Sequence, residues 1–290
     1  MKREELIHIL KKHRIEPLEI TEGTNSYNSN VYIVKTKRKK YVFKIYKSRK
    51  KRLNEKKYYN YLYCFIPTSK VLYSGSYNNY EYNIISYFDG KNIYDEECNN
   101  LTEKEIFNIG KVLSVIHNCR LIFKKTDWIN YLISCIEKTE TQLRNLFGEE
   151  DNQLIVNFLK SYIDKNLINN YKDSLVHMDF RVGNVIIDKK SRTGVIDFES
   201  MKNGDYVFDF VKINRIFNKN NFDVFLKGYK SNRSIESDFH DKLKFYSFFD
   251  SYTSLYWCCI NNQTDSDFYK LNYSIVVKCL GEIKDGRWII

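Results

Sequence analysis

Leu175–Asp188 reads LVHMDFRVGNVIID, and after a short polar turn Gly194–Ser200 reads GVIDFES. Two apolar runs, Val185–Ile187 and Gly194–Ile196, flank that turn and read as short strands able to pair as a hairpin. Oxygen-bearing side chains stand at its open end: Asp179 and Asn184 just before it, Asp197 just after it. A single Asp or Asn beside a strand is an ordinary turn residue. Three of them around one hairpin make a constellation in which a loop and a strand end are fixed against each other.

These side chains suit one kind of chemistry. A carboxylate beside a hydroxyl can orient it and accept its proton. Carboxylate and amide oxygens suit Mg²⁺, a hard cation. Together with a cation that pins phosphates, these are the parts that nucleotide-dependent phosphoryl transfer needs, because positioning and electrostatics supply most of its catalysis. Asp179 and Asn184 are five apart, as Asp and Asn are in the protein-kinase motif H-R-D-L-x-x-x-N. HMDFRVGN and VIDFES resemble the two signatures of the aminoglycoside phosphotransferase and choline-kinase-like superfamily of small-molecule kinases, which shares the protein-kinase fold. Further on, GDYVFDF (Gly204–Phe210) resembles the segment that follows the metal-binding Asp in that family. The resemblance implies that Asp179 is the catalytic base, that Asn184 and Asp197 hold Mg²⁺, and that ATP or GTP is the co-substrate. His177 then braces the loop, and Arg181 steadies a phosphate or substrate group.

Upstream, the chain is patterned for strands. Leu18–Thr21, Val31–Lys35 and Tyr41–Tyr46 read as an antiparallel meander, with a turn at Lys37–Lys40. A helix follows over 49–63, then strands near Lys70–Tyr73 and Tyr82–Tyr87. Lys44, inside YVFKIY, stands where the resemblance expects the phosphate-pinning lysine. Its expected partner is Glu55, the lone acidic residue between Glu22 and Glu81; a helix-surface pair of Glu55 with Lys51 is the plainer alternative. The glycine-rich nucleotide loop of protein kinases is reduced here to Gly23 in EGTNSYNSN, where Ser26 stands as a phosphate contact. IISYFDG (Ile84–Gly90) resembles the hinge that reads the base, with Ser86, Tyr87 and Phe88 as nucleotide contacts. No proline follows Pro67, so the A-P-E anchor of protein kinases is missing, which argues for a small-molecule acceptor.

Beyond Gly90 the spacing turns helical, over 102–118, 128–147, 152–168, 205–217, 221–230 and about 236–260, with a β-rich interlude at 174–197. Strands first and helices later predict an α+β, two-lobed, protein-kinase-like fold. Its small antiparallel-sheet lobe at 1–89 would bind nucleotide. A larger helical lobe at 90–290 would carry catalysis and the acceptor. Aminoglycoside-type antibiotics are the acceptor class that the resemblance favours, which would make the chain a resistance enzyme. Choline or ethanolamine, sugars and homoserine are alternatives, as is a catalytically silent kinase-fold protein. Asp205, Glu236, Asp238, Asp241, Asp250, Asp265 and Asp267 are candidate carboxylates for a cationic acceptor.

The net charge of +11 lies wholly in the first third: residues 1–90 hold 19 Lys and Arg against 8 Asp and Glu, whereas 91–290 hold 28 of each. A basic face over Lys35–Lys57 raises nucleic acid as a partner, but the phosphotransfer motifs argue against that reading. Seven scattered cysteines without a C-x-x-C pair fit reduced thiols and a cytoplasmic protein. The charged amphipathic segment MKREELIHILKKHRI lacks the apolar h-region expected of a signal peptide, and no apolar run approaches the roughly 20 residues needed to span a bilayer. A monomer or homodimer is expected.

Overall fold

The computed structural model describes residues 1–23, 29–93, 98, 100–120, 127–168 and 170–288. Contacts gather the chain into two compact units. One comprises 1–119, 177–201 and 216–234, the other 120–176, 202–215 and 235–290.

The first unit is built on a five-stranded antiparallel sheet in the order β1-β2-β3-β5-β4. Its strands are β1 (Glu19–Glu22), β2 (Ser29–Lys35), β3 (Lys40–Tyr46), β4 (Val71–Tyr77) and β5 (Tyr80–Ser86). Alternation along β3 sends its side chains to two faces. Phe43 and Ile45 meet Leu6, Ile9 and Leu10 of α1 (Arg3–Lys12) in one buried cluster. Lys44 and Tyr46 point to the opposite face, where α2 (Arg49–Leu62) packs. Ser48 caps α2 by accepting from the Lys51 amide at 3.3 Å. The β4–β5 hairpin is longer than its apolar residues predict and turns at Asn78, whose φ is 45°. Ser74–Tyr77 is polar because β4 is the sheet edge.

The same unit holds the predicted hairpin, β8 (Val185–Ile187) against β9 (Thr193–Val195), with β6 (Lys91–Asn92) alongside β8. It also holds α3 (Glu103–Asn118) and α7 (Lys219–Lys230), which cross at glycines. A Cβ on Gly110 would stand 2.0 Å from the Phe225 carbonyl oxygen, and one on Gly228 2.0 Å from that of Phe107.

In the second unit, α4 (Trp128–Phe147), α5 (Glu149–Tyr162), α8 (Phe239–Ile260) and α9 (Asp267–Lys284) pack with the ribbon of β7 (Asp173–Val176) and β10 (Lys202–Asp205). The segment expected as one helix over 205–217 is interrupted. β10 ends at Asp205, a 3-10 turn covers Tyr206–Asp209, and α6 runs over Phe210–Ile216. Asp205 makes the break by capping: its carboxylate accepts from the Val207 amide at 3.1 Å and the Tyr246 hydroxyl at 3.0 Å. The helix expected over 152–168 ends in a π-turn at Ile163–Leu167. Helix α9 has no counterpart in the sequence reading, because apolar residues lie on several of its sides: Val276 and Leu280 are buried while Phe268, Leu271 and Val277 are exposed. No helix among the described residues is long and apolar enough to cross a membrane.

Candidate active site

The segment around Asp179 is fixed from beneath by backbone and imidazole contacts. Asn184 donates through Nδ2 to the Asp179 carbonyl at 2.8 Å and to Asp179 Oδ2 at 3.1 Å. The Ile196 amide donates to the Asn184 carbonyl at 3.0 Å, tying this loop to the strand end that carries Asp197. His177 spans the same gap. Its Nε2 meets the Ile196 carbonyl at 3.0 Å, and its Nδ1 meets the Asp179 amide at 3.3 Å. A carbonyl needs a donor and an amide needs an acceptor, so the ring is neutral with its proton on Nε2. Both nitrogens are engaged in bracing the loop. Met178 and Asp197 adopt φ values of 72° and 68°. A side chain in that region is strained by roughly 1–2 kcal/mol, and both strained residues lie at this loop pair.

Lys44 reaches the same place from β3. Its buried ammonium lies 3.2 Å from Glu55, 2.7 Å from Asp197 Oδ1 and 3.2 Å from Glu199. Burial works against the charged amine, but Asp197 and Glu55 outweigh it and hold Lys44 well above the usual lysine range. Glu55 is fully buried. Burial pushes its carboxyl up to about 7, against the pull of Lys44. The Tyr46 hydroxyl also donates to Glu55, and Asn83 donates to Tyr46 at 2.9 Å. The chain thus brings Lys44 and Glu55 together and sends Lys51 elsewhere, to Glu199 at 2.6 Å.

Oxygens of Glu55, Asp197 and Glu199 lie within 4.8 Å of one another. These oxygens gather around the Lys44 ammonium, and of the three carboxylates only that of Asp197, 28% exposed, is open enough to offer Mg²⁺ an oxygen. The amide of Asn184, turned nitrogen-first toward Asp179 by two acceptors, directs its carbonyl oxygen the other way.

Ser86 accepts from the Lys70 amide at 2.8 Å and pairs with Tyr41, on the sheet face opposite Lys44. Tyr87 lies under the Lys40 ammonium at 5.0 Å. Both line an open cavity of about 400 Å³ with Lys39, Tyr41, Leu72 and Asp89. The Phe88 ring packs on β9, where a Cβ at Gly194 would meet it at 2.7 Å. Ser26 lies outside the described residues. Of the acidic residues considered for a cationic acceptor, Asp250 pairs with Arg215 at 2.7 Å, Asp238 with Lys242 at 2.8 Å and Asp267 with Lys270 at 3.2 Å.

Sequence reasoning missed Glu199, Tyr46, Asn54 and Tyr59. Tyr46 had a visible signal, since it stands two residues beyond Lys44 on the same strand face. Glu199 stood inside the quoted GVIDFES. Asn54 and Tyr59 carried none, because their partners are backbone atoms 145 and 138 residues away.

No curated protein sequence matches the chain. The structure of the GDP and kanamycin complex of APH(2")-IIia is similar with a TM-score of 0.77 at 16% identity, covering 99% of this chain and 100% of that one. The gentamicin-APH(2")-IIa complex gives 0.73 at 19%, covering 96% of each. Macrolide 2'-phosphotransferase type I gives 0.69 at 13%, covering 94% of this chain and 96% of that one. At these identities the likeness establishes a shared fold, the α+β kinase-like fold expected from the sequence. The profile described as "Phosphotransferase enzyme family" matches residues 20–243 of the 290, and the chain belongs to that family.

Proposed function

We propose that the chain moves the γ-phosphoryl group of ATP or GTP onto a hydroxyl of a small molecule, an aminoglycoside-type antibiotic. The observation that carries this reading is Lys44, a buried cation held by Glu55 at 3.2 Å and set 2.7 Å from Asp197. Asp197 and Glu55 keep this buried amine charged, and Glu55 holds it from the helix side, as a phosphate-contacting lysine requires.

Asp179 orients the acceptor hydroxyl and takes its proton. The freed oxygen attacks the γ-phosphorus while the bond to the β,γ-bridging oxygen breaks, and nucleoside diphosphate leaves. General-base assistance of this kind contributes typically about 10²–10⁴-fold. Mg²⁺, when bound, neutralises charge developing on the phosphates, and Asn184 and Asp197 are the residues that would hold it. Lys44 steadies the α- and β-phosphates, and Glu55 and Tyr46 keep its ammonium aimed. Neutral His177 keeps Asp179 and Ile196 in register. An intact set of Lys44, Asp179, Asn184 and Asp197 speaks against a silent kinase-fold protein.

The acceptor class rests on kanamycin and gentamicin in the similar structures. Diphosphate release from ATP and from GTP with Mg²⁺ tests it, across aminoglycosides, a macrolide, choline, ethanolamine, homoserine and simple sugars, with Asp179→Ala alongside. Release stimulated by aminoglycosides and lost in the variant is the expected result. Stimulation by another class alone would replace the acceptor. Near-normal turnover by Asp179→Ala would overturn the base assignment, and absence of Mg²⁺-nucleotide binding would overturn the reading itself.

A further inference from the structure

Helix α2 is fastened to the segment Asp197–Met201 by protein-to-protein contacts along one face. Asn54 Nδ2 donates to the Glu199 carbonyl at 3.0 Å and to the Met201 carbonyl at 2.9 Å. One turn earlier, Lys51 Nζ lies 2.6 Å from the Glu199 carboxylate. Five residues after Asn54, the Tyr59 hydroxyl accepts from the Asp197 amide at 3.1 Å, and its ring meets Phe198 edge-on with centroids 4.8 Å apart. Lys51, Glu55 and Tyr59, spaced four apart, occupy successive turns of one helix surface, and Asn54, three residues after Lys51, lies at its edge. Glu55, the partner of Lys44, projects from that same surface.

Asn54 is the central contact. An amide NH₂ carries two hydrogens, and here each has a backbone carbonyl to meet. The two carbonyls belong to residues just beyond Asp197, so the side chain works as a two-point clamp on the segment that carries it. Lys44 then bridges what the clamp joins, with Glu55 on the helix and Asp197 and Glu199 on the segment.

We propose that Asn54 is a positioning residue that makes α2 and Asp197–Met201 one body, so that Lys44, Glu55 and Asp197 stand assembled before a nucleotide arrives. The inference rests on the phosphotransfer reading given above. Asn54 spends its amide nitrogen on the Glu199 and Met201 carbonyls and acts through Glu55 and Asp197. A kinase-fold protein whose helix swings in and out can bind only through its competent fraction, which weakens apparent affinity by that fraction. The clamp removes this penalty, and it makes displacement of α2 unsuited as a means of control.

Hydrogen exchange of peptides covering 49–62 and 197–201 tests this, in wild type, Asn54→Asp and Asn54→Gln, free and with Mg²⁺-ATP or Mg²⁺-GTP. Nucleotide KM and kcat are measured on the same proteins. Both wild-type peptides should exchange slowly already in the free protein, within about threefold of the nucleotide-bound rate. Asn54→Asp keeps the shape but offers acceptors to two carbonyls, so 197–201 should exchange at least ~10-fold faster in the free protein. Its KM should rise ~10-fold with kcat changed less, and Asn54→Gln, which keeps the donor, should recover part of both. Lys51→Ala supplies the same comparison in a milder form if Asn54→Asp fails to fold. A free wild type whose 197–201 amides exchange freely until nucleotide is added would overturn the proposal. So would an Asn54→Asp protein with unchanged exchange and KM. A wild type that binds neither nucleotide would sink the phosphotransfer reading, while the free-protein exchange rates would still decide the clamp.

Discussion

Lys44 Nζ lies 2.7 Å from Asp197 Oδ1 across 153 residues of chain. Asp197 holds that position with a left-handed backbone, φ 68°, and its amide donates to Tyr59. Asn and Asp tolerate this region best among residues with a side chain beyond Gly.

Asp197→Asn should therefore fold with nearly the wild-type thermal midpoint while losing at least ~10-fold in Mg²⁺-nucleotide affinity, because it keeps the backbone preference and removes the charge. Asp197→Ala should lose the same affinity and in addition about 1 kcal/mol of stability. Thermal melts and calorimetric titration of nucleotide with Mg²⁺ check the pair. Wild-type affinity in Asp197→Asn would remove Asp197 from the metal site.

Arg181 and Gly183 act as a pair beside Asp179. Arg181 Nε lies 3.6 Å from Asp179 Oδ2, and a Cβ on Gly183 would stand 2.8 Å from Arg181 Nη1. The clash is with the far end of a flexible side chain, so Gly183→Ala should move the guanidinium rather than the backbone. Turnover should fall in Gly183→Ala and in Arg181→Gln, and the double variant should be no worse than Arg181→Gln alone. Additive losses in this double-mutant cycle would show that Gly183 serves something other than room for Arg181.

Asp205 gives a pH signature. Burial pushes its carboxyl from 3.8 up to about 6, against the pull of Lys242. A carboxyl whose pKa is raised by folding contributes stability that is complete below the unfolded value and is lost as pH rises through the folded one. Relative to Asp205→Asn, wild type should thus lose stability between about pH 4 and pH 6, by a few kcal/mol at most, and hold a constant difference above pH 7. Denaturant midpoints of both proteins across that range measure it; a wild type that instead gains stability relative to Asp205→Asn as pH rises from 4 to 6 has the wrong sign and would reject the assignment.

The crossing of α3 and α7 should tolerate no added carbon. Either Gly110→Ala or Gly228→Ala puts a Cβ 2.0 Å from a backbone oxygen of the other helix. The helices must then separate, at a loss of about 3 kcal/mol or more. Nucleotide affinity of whatever fraction stays folded should change little, since neither glycine touches Lys44 or Asp197. A thermal midpoint within a degree or two of wild type would contradict the close crossing.

Local pattern was enough for the meander, for α2 and for the β8–β9 hairpin, because alternation and turn residues are written into neighbouring positions. Lys44 and Glu55 were legible for a related reason: a cation among apolar strand residues and a lone acid in a basic helix stand out against their surroundings. What could not be read along the chain was partnership at a distance. Glu199 shared between Lys44 and Lys51, Asn54 clamping two carbonyls, and Ser86 turned to the far face of the sheet all depend on which strands pair and in what register. Helix α9 escaped because its apolar residues lie on several of its sides. Periodicity is a property of neighbours along the chain. A buried ion pair or a clamp is a property of neighbours in space, and packing alone brings those together.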